Sequence, residues 1–384
     1  MLKILHTSDW HLGHVLFGYE RVDEQDHMLR QIADVVAQER PDVMLVCGDI
    51  FHVAMPSNAA LKMFTDRLLD ICDKAPDMEV FVTAGNHDSA SRLEADRSLW
   101  RGHKVSVVGV PTLEVEKMVT VVPGKCVVAS VPYFSVRQCG VKDMFDRVSE
   151  EVRQVNVSGL PVIFMAHAAI VGSNTSGHDD GIGGMDCVPL SDFGDAYDYL
   201  ALGHIHRPQC INGSHGRARY CGTPLQVSFD ENYPHGVDVV TIDDSRQVEV
   251  KSVTFPPLRR LVTLPKEPES FDSALGALGE LSPEDECYVR LNVLVDDYLP
   301  TNAQTQASEK ASGKKCRLCQ VMSQRRARES TESTTDWDVQ VSDFKRLNPV
   351  SVAQMAYREQ MGAEMPDDMV DALKMAVEDI CRED

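Results

Sequence analysis

No apolar stretch in this 384-residue chain approaches the roughly 20 residues needed to cross a bilayer; runs such as Val162 to Ala166 are far shorter. A membrane span is therefore not expected. The opening segment, MLKILHTSDW, lacks the charged and apolar regions of an export signal. The eleven cysteines are scattered, and Cys316-x-x-Cys319 has no second pair, so neither a zinc ribbon nor a redox site is supported. Reduced thiols in the cytoplasm are the simpler expectation. Positive charge is scarce: 38 Lys and Arg stand against 59 Asp and Glu, a net charge of -21. Such a chain repels polyanions at long range, so any nucleic-acid partner has to be held locally, by metals, a basic patch or another subunit. There is no P-loop, so any ATP must be used by a different chain.

What is present suits a folded protein. Hydrophobic residues make up 43% and charged residues 25%, and the length suggests two or three domains. The first half alternates short β-rich apolar runs, small polar clusters and helix-like segments, the rhythm of an α/β domain. Leu2 to Leu5 runs into Thr7-Ser8-Asp9-Trp10-His11, and Asp42 to Val46 into Gly48-Asp49-Ile50-Phe51-His52. Val80 to Thr83 leads to Gly85-Asn86-His87-Asp88, Val162 to Met165 to His167, and Tyr199 to Leu202 to Gly203-His204-Ile205-His206. Alternation between Gln226 and Val253 predicts antiparallel strands that finish this domain, and Pro256-Pro257 punctuates the chain.

Any one of these clusters is weak, because a lone histidine near a strand is usually structural. Together they place seven N/O donors and one further histidine on five strand ends, which chance explains poorly. Carboxylate, imidazole and amide donors without thiolate suit Mn2+, Fe2+ or Zn2+. Seven donors are too many for one ion but serve two if a carboxylate bridges them. Ions about 3.5–4 Å apart form the clamp used for in-line displacement at phosphorus. Phosphoester hydrolysis is the reaction implied.

The ordered set DWH, GDIFH, GNHD, H and GHIH resembles the calcineurin-like metallophosphoesterases over residues 1 to about 255. Within that family, ILHTSDWHLG, AGNHDS, ALGHIHRPQ and RYCGTPLQVSFDE are most similar to the nuclease subunits of bacterial DNA double-strand-break repair complexes. The resemblance implies an α/β fold: a four-layer α/β/β/α sandwich with a small α/β capping domain and a helical C-terminal tail. It implies one metal at Asp9, His11 and His206, another at Asn86, His167 and His204, and a bridge at Asp49. Mn2+ is the expected ion. His87 would steady the phosphate and protonate the leaving oxygen. His52 stands where phosphoprotein phosphatases carry Asp followed by Arg; here Val53 follows, which argues against a protein phosphatase, and His52 would orient His87 or touch a DNA phosphate. Asp88 would either fix an imidazole or cap its loop. His6, His14 and His27 read as structural or surface residues, and His178 lies in a Gly-rich stretch that the resemblance sets near DNA.

The expected domains are 1–255 for the hydrolase, 256–341 for the cap and 342–384 for the tail. Asn302 to Ser312 is polar without a periodic apolar face and reads as a loop or frayed linker. Between Lys310 and Arg328 seven basic residues occur with no Asp or Glu, either a solvated face or a contact for the DNA backbone. From Val350 to Ile380 apolar residues recur at near-helical spacing, so this tail either packs on its own domain or, as the resemblance implies, docks on the root of a coiled-coil ATPase partner. Phe344, Met355 and Tyr357 would be anchors there. The resemblance further implies a homodimer within a heterotetramer, acting on double-stranded DNA ends and hairpins as an ATP-dependent 3'-5' exonuclease and a single-strand endonuclease. The rivals are a small-substrate phosphodiesterase of the same family and a non-catalytic scaffold.

Overall fold

The structure is a computed structural model describing residues 1–134, 140–177 and 187–326, with 365, 366, 369 and 370. The expectations for His178, Arg328 and the tail anchors Phe344, Met355 and Tyr357 fall outside the described residues. Residues Met1–Arg326 make one compact unit.

Two six-stranded sheets form its centre. In the first, Leu2–Thr7, Val43–Cys47, Glu79–Thr83 and Val105–Val108 run parallel, and the antiparallel hairpin Gly236–Ile242/Val248–Thr254 joins alongside Leu2–Thr7. In the second, Cys126–Ser130, Val162–His167, Tyr199–Gly203 and Ala218–Tyr220 are parallel neighbours in that order. These central strands are apolar on both faces because both faces are covered. Ile4, Val43, Leu45, Cys47 and Phe81 of the first sheet interdigitate with Cys126, Val128, Ile163, Met165 and Ala201 of the second. The alternate residues, Leu5, Met44 and Val46, pack outward on helices Val22–Glu39 and Asn58–Lys74. Val127, Phe164 and Leu200 pack outward on helix Val141–Val155. The period of two in each strand thus builds the expected α/β/β/α layers.

Residues 260–325 add a three-stranded parallel sheet, Arg260–Glu269, Cys287–Val295 and Arg317–Arg325, crossed by helices Phe271–Glu280 and Ala303–Ala311. The second helix corrects the reading of Asn302 to Ser312 as a loop. Two parallel strands need a crossover between them, and the helix meets the sheet with Ala303 and Ala307, both buried. Such small residues leave little apolar signal in the sequence.

This sheet is fastened to the sandwich by a buried polar knot. Glu24, fully buried, accepts the Tyr288 hydroxyl at 2.6 Å and pairs with Arg21 at 2.6 Å and Arg259 at 3.5 Å. Arg317 donates to the same Tyr288 oxygen at 2.7 Å and lies over the rings of Tyr288 and Tyr19. The basic run is thereby divided. Arg317 is structural, Lys314 donates to the carbonyl of Gly279 at 2.7 Å, and Lys315 pairs with Glu284. Arg325, over the exposed Tyr298 ring, and Arg326, beside Asp296, stand at the open end of the last strand.

Ala307 discriminates between the loop and the helix. Ala307→Asp would bury a carboxylate against the sheet and should lower stability by about 3 kcal/mol or more, read as a fall in the urea midpoint. A solvent-exposed loop would tolerate the change within about 0.5 kcal/mol.

Candidate metal centre

All five motif loops leave strand C-termini at the same rim of the sandwich, where rigid backbone holds side chains in place. The first two loops zip together beyond their strands: the amides of Asp9, His11 and Leu12 donate to the carbonyls of Gly48, Asp49 and Ile50. Asp9, His11 and Asp49 turn through positive φ of 53°, 45° and 50°, and His204 through 98°. Each such residue costs about 1–3 kcal/mol, a strain accepted where side chains must be aimed. Gly48 and Gly85 are required by close approach. A Cβ on Gly48 would lie 2.2 Å from His167 Nδ1, and one on Gly85 2.1 Å from Asp49 Oδ1.

The rim collects the expected metal donors into two groups, Asp9 with His11 and His206, and Asp49 with His167 and His204, and a third group joins His11 to His52 and His87, each with its donor atoms within 4.8 Å of one another. Asn86 Oδ1 stands 2.9 Å from His167 Nε2 and 3.0 Å from His204 Nδ1. Asp49 Oδ2 lies 3.4 Å from His167 Nε2 and 3.9 Å from His11 Nε2, so one carboxylate oxygen faces both groups. Asp9 is anchored by the Ser8 hydroxyl at 2.5 Å and the amide of His204 at 3.1 Å.

Three imidazoles are oriented by their second nitrogen. Carbonyl oxygens only accept, so His167 Nδ1 donates to Cys47 O at 2.9 Å and turns Nε2 to the donor group. His87 Nδ1 donates to the carbonyl of His52 at 2.8 Å, so Nε2 is the nitrogen turned away from that bond. It is therefore the His52 backbone that orients His87, while the His52 ring stacks beside it, 5.5 Å centre to centre. His206 Nδ1 meets the buried carboxylate of Glu231 at 2.6 Å. Its Nε2 lies 3.0 Å from His11 Nε2, and His11 Nδ1 has no hydrogen-bond partner among the described residues. Two imidazole nitrogens at that distance, beside two buried carboxylates, suit a shared cation in place of one proton. The residues present therefore fit divalent metal.

Burial raises the pKa of the Asp9 carboxyl. Burial acts likewise on Asp49, but the imidazoles of His167, His11 and His87 more than offset it and hold that carboxyl below the usual range. Against its own burial, His167 is lifted to about 9 by Asp49 and Asp9. Burial pushes His11 well below its ordinary value, with His206, His87 and His52 adding to the effect.

Of the remaining candidates, Asp88 is a loop cap: its carboxylate accepts the amides of Gly85, Ile50 and Phe51 at 2.9–3.1 Å. His6 is a core residue, 2.9 Å from the Tyr199 hydroxyl. His14 lies nearer the site than its spacing suggests, its ring 4.6 Å from that of His52. Glu231 is the residue missed by sequence reasoning. Its only signal is membership of the stretch RYCGTPLQVSFDE.

The calcineurin-like phosphoesterase model matches residues 2–208. The D subunit of the nuclease SbcCD from Rhodobacter capsulatus is 30% identical over 275 residues, covering 63% of this chain and 66% of that protein. The Escherichia coli K12 protein of the same name is 28% identical over 327 residues, 78% of this chain and 79% of its own length. That of Bacillus subtilis is 29% identical over 262 residues, 62% and 66% respectively. The chain thus spans just under two thirds of the Rhodobacter and Bacillus relatives.

Raised to about 9, the His167 imidazole of the free protein holds a second proton, on Nε2, at pH 7, whereas a metal takes the neutral imidazole. Mn2+ binding at pH 7 should therefore release protons, and the apparent affinity should climb with pH and level off above about 9. Calorimetric titration in buffers of different ionisation enthalpy counts the protons; none released at pH 7 would contradict this arrangement.

Proposed function

This chain belongs to the calcineurin-like phosphoesterase family, hydrolases that use divalent metals, and from its SbcD-like sequence we propose that it is the DNA-cleaving subunit of an SbcC-SbcD-type complex. The observation that carries the proposal is the single oxygen of Asp49 facing both donor groups, 3.4 Å from His167 and 3.9 Å from His11. Asp9, His11 and His206 would hold one ion and Asn86, His167 and His204 the other, with Asp49 shared. Mn2+ is the ion we propose. Bound there, the pair would supply Lewis acidity and lower the pKa of water.

The chain's own groups do the rest. His87, held at Nδ1 by the His52 carbonyl, presents Nε2 to a phosphate oxygen and, when doubly protonated, can donate to the leaving oxygen. His52 faces the same space and would contact a DNA phosphate. Glu231 holds the tautomer of His206. The substrates proposed are double-stranded ends and hairpins, cut 3'-5' as an exonuclease, with endonuclease action on single strands. SbcC would supply ATP-driven access, receive residues 342–384 on its coiled-coil root, and complete a heterotetramer with two copies of each subunit. A cytoplasmic setting belongs to the same proposal; among the described residues no helix is long and apolar enough to cross a membrane. We take 1–255 as the hydrolase and 256–341 as its cap.

The decisive assay is Mn2+-dependent cleavage of an end-labelled hairpin duplex, with and without SbcC and ATP. His87→Ala should lose about 100- to 10,000-fold in rate while still binding Mn2+, whereas Asp49→Ala should lose both activity and metal. Cleavage confined to small phosphodiesters, even with SbcC, would replace the proposal by a small-substrate enzyme. Arg325→Ala with Arg326→Ala should weaken DNA binding and flatten its salt dependence by about one unit of slope for each phosphate no longer neutralised. Hydrolysis of a small phosphodiester should be unchanged, and unaltered DNA affinity would remove these arginines from the DNA path.

A further inference from the structure

The loop from Gln226 to Glu231 is gripped from two sides. On the sandwich side, Arg21 donates to the carbonyl of Gln226 at 2.5 Å, and the Gln226 amide donates to the carbonyls of Ser228 and Glu231. On the other side stands the three-stranded sheet. Arg290, on its central strand and only 8% exposed, pairs with Asp230 at 2.8 Å and lies over the Phe229 ring at 5.1 Å, its Nε donating to Thr263 Oγ1 at 3.3 Å. Phe229 is itself buried against Leu16 and Tyr288. The next residue, Glu231, uses one carboxylate oxygen for His206 Nδ1 at 2.6 Å and the other for the amide of Val227 at 2.8 Å. A chain of contacts one loop long thus joins the small sheet to an imidazole of the metal centre.

We propose that Arg290 is a positioning residue for His206: by holding Phe229 and Asp230 it fixes Glu231, and so the small sheet sets the metal affinity of the subsite containing His206. The inference rests on the two-metal reading of the site. In the other group His167 is held by Cys47 O inside the sandwich, and His204 Nδ1 lies 3.0 Å from Asn86 Oδ1. The two subsites therefore differ in what supports them. One is built within the sandwich, and the other depends on the seating of a separate sheet.

The test is Mn2+ binding to the full chain, followed by the electron paramagnetic resonance signal of free Mn2+. Wild type should bind two equivalents; fewer would count against the two-metal reading itself. Asp230→Ala, at a side chain 62% exposed and so tolerated by the fold, should weaken one equivalent by up to about 5-fold, the reach of a partly exposed ion pair acting through Glu231, and leave the other unchanged. Arg290→Met should do the same, and Asp230→Glu should restore much of the loss. The exchange-coupled spectrum of a Mn2+ pair should give way to that of an isolated ion at limiting Mn2+. Two equivalents of wild-type affinity in both Asp230→Ala and Arg290→Met would overturn the inference. So would equal weakening of both equivalents together with a lowered melting temperature, which is the signature of a merely structural contact.

Discussion

The site depends on one buried carboxylate that has too many neighbours to be neutral. Asp49 lies beneath the rim with His167 and His11 on either side of one oxygen, while its other oxygen accepts the amide of His87 at 2.9 Å. Burial alone would protonate it. The surrounding imidazoles and the amide keep it ionised, so positive charge has to be gathered around a fixed anion. Every other feature of the centre follows from that demand. The strained turns at Asp9, His11 and His204 aim donors at this point, and the glycines beside it give up their side chains to let Asp49 and His167 approach.

Much of this was legible in the sequence because the demand is chemical before it is geometrical. Metal ligation needs carboxylates, imidazoles and amides whatever backbone carries them. Parallel strands covered on both sides need apolar runs such as Val43–Cys47 and Val162–His167. A short apolar run ending in Gly-Asp, Gly-Asn-His or Gly-His therefore announces both the strand and the position of its tip. His167 even follows the strand's own alternation, coming after Ile163 and Met165 on the face between the sheets.

What escaped lacked either a period or a fixed spacing. Glu231 acts on His206 from 25 residues away through a loop, and an acidic residue in a chain with 59 of them carries no mark of that role. The helix Ala303–Ala311 packs through alanines, whose burial contributes little to any hydrophobic pattern. The basic run reads as one feature in the sequence, yet strand geometry sends Arg317 into an aromatic sandwich and Arg325 and Arg326 to the open end. Charge density along a chain does not say which side chains the backbone will turn inward.

The donors are spread across the chain from Asp9 to His206, and the carboxylate that steadies the last of them is Glu231. No contiguous fragment shorter than this span contains the whole set. During synthesis the amino-terminal strands can pair as they emerge, but the two donor groups cannot be complete until the second sheet, which carries His167 and His204, has been made and has stacked on the first. A partly made chain thus lacks part of the donor set, and the set is whole only once both sheets and the loop carrying Glu231 are in place.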